Sequence, residues 1–390
     1  MASLVMSFDP LDPASFHKEW MALLQCASTQ SKREKLAASL ESCDLNRLLL
    51  LAADHGMTGQ LALALSSCEA ASFPPDFVQA LLVRRRTLAI RALQMTSELF
   101  LLLQRFRSDR IPALAVKGPV LSQRAYGDPS VRTYADLDLL VFREDIRRAT
   151  QSMLALGFDA TVSLKAIEAG RIPGQHFFSK TTPRILVELH NDATLRYFPQ
   201  QIPIHDFFDR HVSVSLDGQS VPALSAEDEL VFISVHGAKH FWQRLQWIAD
   251  LAALISGQPS VIWDSVLLCA RQTGSLTMLN TGLLLAADLL GAKLPASIQS
   301  CADSDRSALH LVKSSLTWLP FAGAKSIALL DRTGYRLGMN GNIFSAPAYL
   351  LRLSLSPTEE DWKDDRPGVQ SFLRSVLGRP LRLMRKYSQR

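Results

Sequence analysis

The amino-acid sequence predicts an α+β protein that is mostly helical, with a small α/β core set between helical regions. Three observations predict it. Apolar residues recur at helical spacing from about Phe16 to Arg107, short apolar runs bounded by turn residues crowd the segment 111–190, and helical periodicity returns after Ser225. A chain of 390 residues exceeds what one ordinary hydrophobic core fills, so two or three packed units are expected.

The first unit, 1–108, is helical: Leu36, Leu40, Leu45, Leu48, Leu49 and Ala52 keep the period, with breaks near Ser66 to Pro75. The second, 109–222, opens with the apolar run Ile111 to Val116, followed at once by Lys117, Gly118 and Pro119, which reads as strand, tight turn, helix. Leu137 to Phe142 is a second strand, and Arg143 to Leu156 an amphipathic helix ending at Gly157. Phe177 to Ser179 and Ile185 to His190 are two more strands, the latter alternating Leu186, Glu188 and His190 against Val187 and Leu189. A turn-rich stretch holds Pro203, Asp217, Gly218 and Pro222. The third unit, 223–330, starts with Ser225 as the N-cap of a long helical pattern that runs to about Leu319. Residues 331–390 form an extension rich in proline, closing on the basic residues Arg379, Arg382, Arg385, Lys386 and Arg390. A solvated helix is the ordinary reading of that end, and an anionic surface its alternative partner.

With 47% apolar and 20% charged residues the composition is that of a soluble globular protein. The formal charge of +5 is spread along the chain and argues for no nucleic-acid partner. The five cysteines, Cys26, Cys43, Cys68, Cys269 and Cys301, contain no CxxC pair, so neither a thiolate zinc site nor a disulfide framework is suggested. No stretch reads as a secretion signal or a membrane span, so a cytoplasmic location is expected.

The chemistry concentrates in Tyr134 to Val141, YADLDLLV. Asp136 and Asp138 stand two apart on a strand and therefore share a face. At roughly 4 Å and an effective dielectric of about 20, two carboxylates repel by about 4 kcal/mol, which makes the pair costly unless cations occupy it. Mg²⁺ is the natural occupant, with Mn²⁺ the close substitute. Two-metal phosphoryl transfer needs hard oxygen ligands in this arrangement, and Glu188, an isolated acid in an apolar strand, fits a third ligand position. A DxD pair alone also occurs at ordinary turns. Here the preceding Lys117-Gly118 turn adds a helix N-terminus whose free N–H groups can receive phosphate.

The stretch LAVKGPVLSQRAYGDPSVRTYADLDLLV resembles the signature of the uncharacterised nucleotidyltransferase family of the DNA polymerase β superfamily, in which a KG turn precedes R-x-x-x-D-h-D-h-h-V. The likeness continues in VELHN from Val187, in HGAKHFWQRLQWIADLAALI from His236, and in RPLRLMRKY from Arg379. It implies a minimal nucleotidyltransferase core with a mixed sheet, flanked by helical regions, and metal held by Asp136, Asp138 and Glu188. One departure stands out: wider superfamily members carry Gly-Ser or Gly-Gly in the turn, whereas Pro119 follows Gly118 here. Proline has no N–H to give, so the Gly118 amide and the Lys117 ammonium carry more of the phosphate binding.

Other residues keep two readings. Arg132 either contacts phosphate or pairs with Asp128 or Asp136. His190, on the strand face of Glu188, is a group behind the metal ligands, a proton acceptor or a structural histidine. His236 and His240 lie four apart on one helix face beside Lys239; that spacing suits zinc, but with no HExxH glutamate or third ligand the face reads as a cleft lining, with Lys239 near the triphosphate or the acceptor. Asp250 is expected to pair with Lys239, His240 or Arg244, and Trp242 and Trp247 to lie in the core.

The resulting expectation is a two-metal-ion nucleotidyltransferase that moves an NMP, AMP from ATP in the first instance, onto an acceptor and releases pyrophosphate. The acceptor class stays open among small molecule, peptide, polysaccharide precursor and protein. Two other functions compete: a noncatalytic nucleotide-binding or scaffold partner of a biosynthetic enzyme, and a metal-dependent nucleotide hydrolase.

Overall fold

The computed structural model describes residues 16–30, 33–66, 73–161, 174–192, 204–258, 260–322 and 327–339, together with Ile167, Pro347 and Leu351. Cys68, Pro203 and the basic C-terminal stretch lie outside the described residues.

The described residues open with five helices, α1 (His17–Ala27), α2 (Arg33–Glu41), α3 (Leu45–Asp54), α4 (Thr58–Ser66) and α5 (Pro75–Ser108). Asp44 caps α3 by accepting the N–H groups of Asn46 and Arg47. Pro75 opens α5, at a position where its missing N–H costs nothing. This helix is 34 residues long and joins two cores. Phe77 and Leu81 pack with the helical regions, while Met95, Leu99, Leu102 and Phe106 lie against the sheet.

The middle of the chain supplies β1 (Ala113–Ala115), α6 (Gly118–Tyr126), β2 (Asp136–Val141), α7 (Ile146–Ala155), β3 (Asp159–Ala160), β4 (Gln175–Thr181), β5 (Arg184–His190), α8 (Ile204–Asp209), β6 (Val212–Leu216) and β7 (Gln219–Ala223). The strands form one mixed sheet in the order β3-β4-β5-β2-β1-β7-β6. The pairs β2/β5 and β1/β7 are parallel and the others antiparallel. The fold is therefore the α+β, mostly helical class with a mixed sheet that the sequence predicts.

Three details differ from the sequence reading. Residues Arg143–Asp145 form a 3₁₀ turn, and α7 starts only at Ile146. The stretch read as turns contains the hairpin β6/β7, reversed by Asp217 and Gly218 at φ of 47° and 79°. Two consecutive positive φ angles match the twist of a tight hairpin, and Asp-Gly supplies them cheaply. Strand β3, two residues long, carries too little sequence to be read as a strand.

Helices α9 (Ala226–Lys239), α10 (Leu245–Gly257), α11 (Trp263–Gln272), α12 (Leu276–Leu290), α13 (Ala296–Ser304), α14 (Arg306–Trp318) and α15 (Leu329–Gly338) complete the described chain. Ser225 caps α9 by accepting the N–H of Asp228. Trp242 is fully buried among these helices, and Gly237 makes room for it: a Cβ there would lie 2.4 Å from the indole. No helix among the described residues is long and apolar enough to cross a membrane.

One core joins α1, α3 and α4 to α9, α10 and α12, and His55 sits at that junction. Its Nδ1 accepts the N–H of Leu245 at 3.2 Å, and its ring packs on Trp20 at 5.1 Å between centroids. Burial holds its pKa down at about 4, from 6.5. The folded protein thus binds this proton more weakly than the unfolded chain. The associated stability is fully present above pH 6.5 and is lost as pH falls through about 4, amounting to about 3 kcal/mol. Urea unfolding across this window is expected to show that loss in the parent protein, and a flatter profile in His55→Asn, which keeps an acceptor for Leu245 but does not titrate. Equal pH slopes in the two proteins would refute the assignment.

Candidate active site

The site is built where β1 turns into α6, facing the parallel strands β2 and β5. Gly118 takes φ of 63°, a conformation that glycine alone adopts without penalty. Pro119 follows inside the first turn of α6, where a helix leaves N–H groups without partners anyway. The turn directs the Lys117 side chain across β2, and Val116 N–H donates to the Asp138 carbonyl at 3.2 Å.

Parallel pairing places Asp138 opposite Glu188 and Leu140 opposite His190. Side chains of one register row on adjacent strands face the same way, so the two carboxylates converge. Lys117 Nζ lies 2.7 Å from Asp138 Oδ1. His190 Nε2 meets the same oxygen at 2.9 Å and Glu188 Oε2 at 3.4 Å. Gln175 of β4, opposite His190 in the β4/β5 register, donates its side-chain amide to Glu188 Oε2. At the mouth of the strands, Arg91 of α5 donates to the carbonyls of Arg184 and Ala135 at 2.5 and 3.1 Å, tying the starts of β5 and β2 to one guanidinium.

The electrostatics separate the two aspartates. Burial and then the charge of Asp138 push the Asp136 carboxyl up to about 6, against the opposing pull of Lys117. Burial also opposes ionisation of Asp138, but Lys117 and His190 outweigh it and hold that carboxyl well below the usual range. Burial would lower His190, yet its hydrogen bonds to Asp138 and Glu188 raise it instead.

Helix α9 covers this cluster with His236, Lys239 and His240. His236 Nδ1 faces Lys117 Nζ at 3.5 Å. Burial, reinforced by the charge of Lys117, pushes His236 well below its ordinary pKa. His240 is lowered to about 3 by burial and Lys239. Lys239 itself is lowered by burial and by Lys117, with Glu188, Asp138 and Asp136 pulling the other way. The two imidazoles pack at 4.8 Å, and Trp247 lies 5.5 and 5.2 Å from them, half-buried at the edge of the core rather than within it.

Among the described residues, the one cluster with metal-ligand spacing is Asp138, Glu188 and His190, whose ligand atoms all lie within 4.8 Å of one another. His236 and His240, weighed as zinc ligands, are not in it. The two carboxylate oxygens suit Mn²⁺ or Mg²⁺ and the imidazole favours Mn²⁺ of the two, and the charges of Asp138 and Glu188 add to burial in raising Asp136, a penalty that a divalent cation there would relieve. The donor set fits the metal.

Arg132 does not pair with Asp128 or Asp136. Its Nε donates to Asp250 Oδ2 at 2.7 Å, with the Arg132 and Asp250 side chains 7% and 2% exposed. Asp250 accepts a second bond from the Tyr126 hydroxyl at 2.9 Å, so its partner is none of Lys239, His240 or Arg244. Two participants were not singled out from sequence. Gln175 and Arg91 gave no signal beyond residue type, because a strand amide and a helix arginine are common. Asp250 was singled out by its place on an apolar helix face, but with other partners than Arg132 and Tyr126.

A model of the uncharacterised nucleotidyltransferase family matches residues 41–291. Among solved structures, an antigenic nucleotidyltransferase-like protein from Paracoccidioides brasiliensis is similar at 16% identity over 55% of this chain and 94% of that one, with a TM-score of 0.27. No curated protein matches. The family match runs from α2 to the end of α12, enclosing Lys117, both aspartates, Glu188 and the α9 face, and with it the chain belongs to the uncharacterised nucleotidyltransferase family.

Proposed function

We propose that this protein transfers an NMP, AMP from ATP in the first instance, to a hydroxyl or phosphate of its acceptor, with Mg²⁺ or Mn²⁺ and release of pyrophosphate. The observation that carries the reading is the register of Asp138 against Glu188 with Lys117 at hydrogen-bond distance of the same cluster. Asp138 and Glu188 would hold the metal together with Asp136, which stands outside the converging group, and His190 Nε2 is close enough to the first two to join or orient them. When bound, the metal supplies Lewis-acid neutralisation of the phosphate charge. The acceptor oxygen attacks the α-phosphorus and forms the new P–O bond. The bond from that phosphorus to the bridging oxygen breaks, and pyrophosphate leaves. Glu188 takes the acceptor's proton, its other contacts set by Gln175 and His190. Lys117, the Gly118 amide and Lys239 hold the triphosphate. Arg132 serves through its buried pair with Asp250, which fixes the loop leading into β2.

Calorimetry of ATP, GTP, CTP and UTP with Mg²⁺ or Mn²⁺ tests this without a known acceptor. One NTP is expected to bind only with metal, and Asp138→Ala is expected to abolish that binding. Absence of binding by all four would overturn the proposal and favour a scaffold role. Stepwise release of inorganic phosphate in place of pyrophosphate, read by ³¹P NMR, would make the protein a hydrolase.

A further inference from the structure

Oδ1 of Asp138 is shared by two donors, Lys117 Nζ at 2.7 Å and His190 Nε2 at 2.9 Å. The Lys117 and Asp138 side chains are 9% and 1% exposed, so this contact is not a mobile surface pair. Beyond Asp138, Lys117 faces the His236 imidazole at 3.5 Å, a weak acceptor, and shares the site with Asp136, whose carboxyl its charge pulls down, and with the like charge of Lys239. The ammonium therefore stands as a fixed positive charge on an oxygen that the proposed reading gives to a metal. A divalent cation arriving alone would have to displace it, or settle beside it at a distance where like charges repel strongly in a site screened from water. An ammonium driven off Asp138 into this interior would need a new anion, and the site's own carboxylates would then be engaged with the metal.

A nucleoside triphosphate removes the difficulty, because its phosphate oxygens offer the displaced ammonium a charged acceptor in the same place. We propose that Lys117 is a specificity device that makes this site take its metal as the metal–NTP chelate and not as the free ion. Lys117 bonds Asp138 until the chelate enters, then exchanges that carboxylate for the triphosphate while the metal takes the carboxylate. The inference rests on the nucleotidyltransferase reading of the site and adds to it the chemical form of the substrate. It also gives the lysine two opposite roles, against free metal and for nucleotide, which a plain phosphate-binding lysine lacks.

The opposition in sign is measurable. Mn²⁺ binding is read from the loss of its free-ion EPR signal, first with Mn²⁺ alone and then with Mn²⁺ and each of the four NTPs in turn. The parent protein is expected to bind Mn²⁺ alone weakly and the Mn²⁺ chelate of one NTP at least about tenfold more tightly. Lys117→Met is expected to bind Mn²⁺ alone at least about tenfold more tightly than the parent and its chelate more weakly. Lys117→Arg keeps the charge and is expected to keep weak binding of the free ion. That variant separates removal of charge from simple loosening of the site, and a cooperative thermal transition in both variants establishes that each is folded. Chelate binding by the parent with free Mn²⁺ affinity unchanged or weakened in Lys117→Met, or raised equally in Lys117→Arg, would overturn the inference and leave the transferase reading standing. Absence of any metal-dependent NTP binding by the parent would overturn both.

Discussion

Under the proposed reaction, Glu188→Gln is expected to lower the rate of nucleotidyl transfer by about a thousandfold while changing affinity for the metal–NTP complex by less than about tenfold. Glutamine keeps the length of the side chain and an oxygen that can face a cation. It removes the charge and the capacity to take the acceptor's proton. The local structure tolerates the exchange, because Asp138 remains bonded to His190 as its counter-charge and the new amide keeps an oxygen for the Gln175 side chain. Strand β5 also stays paired on both sides, since its bonds to β2 and β4 are made by backbone. The check is turnover of an α-³²P-labelled donor with an acceptor recovered by a labelled-donor screen, alongside calorimetry of the same variant. Transfer within tenfold of the parent would remove Glu188 from the chemistry. A parallel collapse of binding would make it chiefly a ligand.

Asp250→Asn is expected to destabilise the fold by about 3–5 kcal/mol, and Arg132→Met to cost less. The two partners of this pair are not equivalent when left alone. An unpaired Arg132 cannot shed its proton, so in Asp250→Asn a guanidinium remains charged and buried. An unpaired Asp250 can take a proton, and burial already raises its pKa against the pull of Arg132. The surrounding bonds amplify the difference. Tyr126 donates to Asp250 and receives the Gln60 amide at 3.2 Å, so the carboxylate ties α10 to α6 and, through it, to α4. The measurement is urea unfolding of both single variants and of the pair Arg132→Met with Asp250→Leu. The double variant is expected to recover most of the loss, since neither charge then remains. A larger cost for Arg132→Met than for Asp250→Asn would contradict this account.

Most elements were legible because their signals are local. The 3.6-residue recurrence of leucine and alanine marks α3, and the alternation in ILVELH marks β5 with its acid and histidine on one face. The spacing in DLDLLV likewise puts Asp136 and Asp138 on one face of β2. The hairpin β6/β7 was within reach, for Asp217-Gly218 lies between VSVSL and QSVPA, but Pro222 argues against a strand. Its place beside β1 makes that proline tolerable: β7 pairs with β1 through Ala223, opposite Ala115, so the ladder does not call on residue 222 there.

From the sequence come the candidate residues for the chemistry and the kind of element that holds each, since side-chain type and period are properties of a few neighbouring positions. The tertiary structure alone decided their partners. Arg132 has acids close by in sequence at 128 and 136, yet bonds Asp250, 118 residues away, because packing α10 against α6 desolvates those two charges together. Lys117 meets Asp138 because β1 and β2 pair antiparallel, and Glu188 meets the same cluster because β5 pairs parallel on the other edge of β2. A charge deprived of water pairs with whatever opposite charge the fold buries beside it, and that choice is made by long-range packing that no local pattern encodes.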